Sequence, residues 1–170
     1  PTYVSETFNL KSEISILSGI LLPVFSIICS QLTSFVNRRF VGNIMLNSGI
    51  IFVLAALSST LLALLGGKSA PASIVALALT TGCMYGINYL LTCLAPAFFV
   101  KYGKVSFISG LLNSCTYVGS AVSTYGIALL TNDKSWSYIA GIWAVTALAG
   151  AVPSLAISAA WGKFTGKSKA

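Results

Sequence analysis

The sequence contains no histidine and only three acidic residues among 170, Glu6, Glu13 and Asp133. None of the three falls inside a long apolar run, so no serine or cysteine there has a base beside it to activate it. An enzyme is not expected, and no catalytic residue is assigned. The four cysteines, Cys29, Cys83, Cys93 and Cys115, sit singly in apolar runs. They lack the density of a disulfide scaffold and the paired spacing of a metal site, and read as small buried hydrophobes. No metal and no cofactor is expected. Charged residues make up only 8% of the chain, too few for the surface of a soluble globular domain. The basic, apolar and small-residue succession of a signal peptide is absent, and the chain opens at Pro1 rather than Met. We expect a fragment of a longer protein.

What is present is apolar. Hydrophobic residues account for 56% of the chain and the mean hydropathy is +0.88, which places it in a membrane. The net charge of +7 comes from basic residues scattered singly or in pairs between hydrophobic runs, so nucleic acid is not an expected partner and the lipid bilayer is. The fold class expected is an all-α membrane protein with about five transmembrane helices, over residues 14–35, 44–65, 72–100, 105–130 and 136–161. At 1.5 Å per residue each covers a hydrocarbon core of about 30 Å.

Ser12 and Glu13 suit the start of the first span, and Pro23 is expected to kink it. Asn37, Arg38 and Arg39 end it. Asn47 is the most polar residue inside the second span, and Gly66, Gly67, Lys68, Ser69 and Pro71 form the turn that follows. The third span ends near Pro96, Phe98 and Phe99. Gly110, Gly119 and Gly126 of the fourth permit close helix approach, and Trp136 and Trp161 bracket the fifth at headgroup depth. Ala144, Ala147, Ala151 and Ser154 put small residues on one face of the fifth span, whose expected use is packing within the bundle.

Loop charges set an orientation. Arg38, Arg39, Lys101, Lys104, Lys163, Lys167 and Lys169 fall on one side, and Lys11, Lys68 and Lys134 on the other with all three acids. The positive-inside rule puts the C-terminus in the cytoplasm. No charge is left inside a span, so these spans hold no internal ion pair and no carboxylate proton relay.

The third and fourth spans each carry a polar stripe. Thr81, Tyr85, Asn88 and Thr92 fall at i, i+4, i+7 and i+11, and Asn113, Tyr117, Ser120 and Thr124 repeat the spacing. On an α-helix each set shares one face. Single hydroxyls in membrane helices serve as interhelical hydrogen-bond glue, worth roughly 0.6 kcal/mol each. Tyr and Asn are costlier to hide, so two matching stripes that each hold both are expected to face each other or a wet cavity.

Short motifs resemble the major facilitator superfamily. Pro1, Thr2 and Tyr3, followed by Glu6, are similar to the Pro-Thr-Tyr end of its seventh span, especially in the organophosphate:phosphate antiporter or sugar phosphate permease branch. Arg38 and Arg39 stand where that family has the basic loop between its eighth and ninth spans. Tyr85 and Gly86 resemble the Tyr-Gly of the tenth span, Tyr117 and Gly119 the Tyr-x-Gly of the eleventh, and Trp136 the Trp that opens the twelfth.

The resemblance implies the C-terminal six-helix half of a twelve-span fold with its first helix truncated, the N-terminal half of the same transporter being absent from this chain. It further implies alternating access around a midplane site. Tyr85 and Tyr117 match family positions near the substrate. Ser34 stands where the family usually has an Asp, and the cationic residues that hold phosphate in the organophosphate branch belong to spans outside this chain.

The function expected is secondary active transport of a small polar or anionic solute, such as an organophosphate or sugar phosphate, across a bacterial plasma (inner) membrane. Tyr85, Asn88, Asn113 and Tyr117 are the expected substrate-binding residues, and Thr81, Thr92, Ser120 and Thr124 line the path. The alternatives are uptake of carboxylates or sugars by proton symport, and a membrane protein of the same fold that does not transport.

Overall fold

The computed structural model describes residues 12–65, 69–131 and 136–166, without the side chains of 12–19, 21, 22, 70 and 131. The segment through Lys11, the turns at 66–68 and 132–135, the side chains of the cap at Ser12 and Glu13, and the end of the basic tail lie outside the described residues. The described chain is helical, and no strand occurs in it.

Five helices follow one another: α1 Ser12–Val36, α2 Ile44–Leu65, α3 Ala70–Asn88, α4 Val105–Thr131 and α5 Trp136–Thr165. Four stretches, Ile44–Leu65, Pro71–Tyr102, Val105–Leu130 and Trp136–Thr165, are long and apolar enough to cross a membrane. Pro23 lies inside α1.

Two helix ends differ from the sequence reading. α1 does not stop at Asn37 but runs on through a π-helical turn, Asn37–Val41, to Gly42 at φ 68°. There the Gly42 N–H reaches Asn37 O at 2.7 Å. A side chain would strain that left-handed position, and glycine removes the penalty. The next residue, Asn43, caps α2: its Oδ1 accepts from the N–H groups of Met45 (3.1 Å) and Leu46 (3.2 Å). Its Nδ2 donates to Ser158 O on α5 at 2.8 Å. Asn43→Ala removes both the cap and the latch, and a loss of about 1–3 kcal/mol is expected in unfolding measured in micelles.

The expected single span over 72–100 changes helical type twice. α3 gives way to a π segment, Tyr89–Leu94, and then to a 3₁₀ segment, Ala95–Tyr102, closed by Gly103 at φ 64°. Pro96 is the physical cause: it has no N–H to donate, and its ring crowds the carbonyl four residues back. The wider turn before it, where Ala95 N–H bonds Leu90 O, takes up the mismatch.

The packing forms a layer in the order α1, α3, α2, α5. Small residues set each contact. Ala55 and Ala56 of α2 cluster with Ala147 of α5. A Cβ on Gly49 would stand 2.5 Å from Leu155, and one on Gly150 2.6 Å from the Phe52 ring. Ala144, Ala147 and Ala151 are buried, so the small face of α5 is used inside the bundle, as its spacing suggested. On the other side of the layer, Gly82 receives Cys29 and Gly86 receives Thr33, with Cβ positions 2.6 Å from Cys29 Sγ and 2.5 Å from Thr33 Oγ1. These glycines form a G-x-x-x-G pair that lets α1 and α3 approach closely.

Buried polar groups tie the same helices together. Ser58 Oγ donates to Ala76 O at 2.8 Å, joining α2 to α3. Asn47, 2% exposed, donates to Thr33 O at 3.4 Å, joining α2 to α1. At the far end Phe98, Phe99, Tyr102, Trp161 and Phe164 form a ring cluster, with Lys101 Nζ 5.0 Å from the Tyr102 centroid and 5.2 Å from that of Phe164. Trp161, expected at headgroup depth, packs among these rings, and its Nε1 is buried without a hydrogen-bond partner among the described residues.

α4 stands at the margin of the layer. It is held by the π and 3₁₀ segments after α3 and touches α5 only lightly. Residues 113–125 are exposed without a break. Gly110, Gly119 and Gly126 have nothing within 4 Å of a built Cβ, so the close approach expected of them does not occur within the described residues.

Candidate functional site

The two polar stripes sit on helices that run antiparallel from a common end. Tyr102 closes the 3₁₀ segment after α3, and α4 begins at Val105. Counting away from that end, Thr92, Asn88, Tyr85 and Thr81 succeed one another at the same intervals as Asn113, Tyr117, Ser120 and Thr124. The 4-3-4 spacing reads the same in both directions, so counted from that end Thr92 corresponds to Asn113, Asn88 to Tyr117, Tyr85 to Ser120 and Thr81 to Thr124. The axial step between neighbours is roughly 4.5–6 Å at 1.5 Å per residue.

The structure places these residues as follows. Thr81 is half-buried and lines a cavity. Tyr85 is 55% exposed, and Asn88 is exposed. Thr92 stays beneath Asn88 despite the change to π geometry: its Oγ1 lies 2.8 Å from Asn88 O and 2.9 Å from Asn88 Oδ1, with one proton to share between them. On α4, Asn113, Ser120 and Thr124 are exposed and Tyr117 is 75% exposed. α3 and α4 share almost no direct packing along their lengths, so the stripes diverge from the common end instead of meshing.

A cavity of about 360 Å³ opens where they part. Leu77, Thr80, Thr81 and Met84 line it from α3, Ser123 from α4, and Trp143 and Thr146 from α5. Of the eight stripe residues only Thr81 reaches it. Six of the seven lining residues were not picked out from the sequence, and Thr80, Ser123, Trp143 and Thr146 are the polar or aromatic ones among them. Trp143 and Thr146 stand three apart in the apolar middle of α5, too few to mark a stripe by themselves. Thr80 and Thr81 are adjacent, so only one of them fits a single periodic face. The chain matches no family model, no curated protein and no solved structure.

A second cavity, about 270 Å³, lies between α1, α2 and α3 and is mostly aliphatic, with Cys29, Thr33, Asn47 and Cys83 as its polar members. Asn47 already bonds Thr33 O there. Among the described residues, no three His, Cys, Asp or Glu side chains stand together in a way that could hold a metal ion.

Chemically, the larger cavity can hydrogen-bond and exclude, but it has no group that titrates near neutrality. Hydroxyls, one indole and one thioether do not supply acid–base or nucleophilic chemistry without a base. Its capacity is for binding.

Proposed function

We propose that this chain forms the C-terminal half of a secondary active transporter of the major facilitator type, moving a small polar solute by alternating access. In this reading the five helices lie in a bacterial plasma membrane with the C-terminus cytoplasmic. The N-terminal half of the same transporter supplies the other wall of the solute path. Tyr85, Asn88, Asn113 and Tyr117 orient the solute, and Thr81, Thr92, Ser120 and Thr124 line the route.

What supports the reading is the pair of equally spaced polar stripes, left largely open on two long apolar helices. Amides and phenols on a membrane helix are costly toward lipid and earn their place against polar partners or a wet path. The motif resemblance ranks organophosphates exchanged for phosphate first. The uncharged cavity beside Thr81 favours the second reading, proton-coupled uptake of a sugar-type solute.

Uptake by the full-length parent protein in proteoliposomes tests both. Sugar phosphates are offered against a phosphate counter-gradient, and sugars and carboxylates under a proton gradient. Accumulation under either regime supports transport and selects the branch. No accumulation of any class under either gradient, with protein correctly inserted, leaves a non-transporting membrane protein.

A further inference from the structure

The three threonine hydroxyls around the cavity between α3, α4 and α5 have already committed their protons. Thr81 Oγ1 donates to Leu77 O at 2.8 Å, and Thr146 Oγ1 to Ile142 O at 2.8 Å. Thr80 Oγ1 is occupied on both counts, reaching Ala76 O at 2.9 Å and Ser58 Oγ at 3.0 Å while Ser59 Oγ approaches it at 3.5 Å. A threonine hydroxyl has one proton and two lone pairs, so bonding the carbonyl four residues back leaves it an acceptor toward anything else. Thr81 and Thr146 therefore present lone pairs to the cavity. Ser123 has no hydrogen-bond partner among the described residues and can give or accept.

No charged side chain lines this space, and the remainder of the wall is Leu77, Met84 and Trp143. An anion would find the Ser123 hydroxyl and the Trp143 indole as neutral donors but no cation, and a cation would surrender its hydration with no carboxylate to replace it. The volume is at the small end of ligand pockets, roughly 300–1,000 Å³.

We infer that this cavity binds an uncharged hydroxylated solute of the polyol type, which donates O–H groups to Thr81 and Thr146 and lays its C–H edge on Met84 and Trp143. As an account of what is carried, the inference rests on the transport reading; as a binding site it does not.

The test is equilibrium binding of labelled xylitol to the full-length protein in detergent, with glycerol phosphate and ethanolamine as anionic and cationic probes of similar size. Xylitol is expected to bind in preference to both. Thr81→Val and Thr146→Val keep the side-chain shape and remove the acceptor, and each is expected to weaken xylitol binding about fivefold to tenfold. Thr81→Ser and Thr146→Ser restore it. An unchanged unfolding midpoint in the valine variants separates lost recognition from lost fold. Tighter binding of glycerol phosphate or ethanolamine, or xylitol affinity indifferent to both valine substitutions, overturns the inference. Xylitol binding without uptake of any solute leaves the site standing and removes the transport reading. Uptake indifferent to the valine variants leaves the transport reading standing and overturns the inference as an account of what is carried.

Discussion

Gly86→Val is expected to be among the most destabilising single changes in this fold, at about 1–3 kcal/mol. The first atom added at Gly86 would stand 2.5 Å from Thr33 Oγ1 and 3.3 Å from Thr33 Cβ, so a rigid β-branched side chain fills the space. Gly82 is close behind: its Cβ position lies 2.6 Å from Cys29 Sγ and 3.0 Å from the Phe25 ring. Helices in lipid gain little from burying apolar area against each other and depend on close van der Waals contact, so separating α1 from α3 forfeits most of what joins them. Overpacking of this kind costs about 1–3 kcal/mol per site, and Gly82→Val with Gly86→Val together should detach α1. Unfolding in mixed micelles measures the loss. The milder Gly86→Ala should be rescued by Thr33→Ala, which removes the opposing hydroxyl, with a coupling of about 1 kcal/mol or more. Independent, additive effects of that pair would show that the two helices do not meet there. Gly119→Val, by contrast, should leave the unfolding midpoint within about 0.5 kcal/mol of the parent if the open side of α4 is as free as the described residues show it.

Asn88→Leu and Tyr117→Phe are expected to lower uptake by the full-length protein at least tenfold while insertion and unfolding stay near the parent's. Both side chains are exposed, so neither removal opens a cavity nor strands a buried partner: Asn88 loses only the Thr92 hydroxyl on its own helix. That separates the functional from the structural reading, because hydrogen-bond glue would register as lost stability. Initial rates in proteoliposomes, normalised to inserted protein, decide it. Unchanged rates in both variants would end the assignment of these residues to the solute. Thr92→Val provides a graded case, since it frees Asn88 Oδ1 without deleting it, and an effect smaller than that of Asn88→Leu is expected.

Much of the helical layout was legible in the residues because it depends on local pattern. Apolar runs broken by charged or glycine-rich turns mark α2, α4 and α5, and the alanines of α5 mark its buried side. Boundaries governed by a single residue's backbone demands were read less well. Gly42 lets α1 continue through a π turn past two arginines, and Pro96 converts the end of the third span to π and 3₁₀ geometry. Gly82 and Gly86 were open to recognition as a G-x-x-x-G pair, but their spacing says only that something packs closely, not that Cys29 and Thr33 do.

The amino-acid order alone settled that this chain is made of long apolar helices, and where its polar stripes run, because hydrophobicity and the 3.6-residue period act within one segment. Which helices touch was decided in three dimensions. In lipid no gradient of hydrophobicity says which faces meet, so neighbours are chosen by the fit of small residues against large ones across segments far apart in sequence. That fit places α3 between α1 and α2, leaves α4 and its stripe open, and brings Trp143 and Thr146 to Thr81 around one cavity.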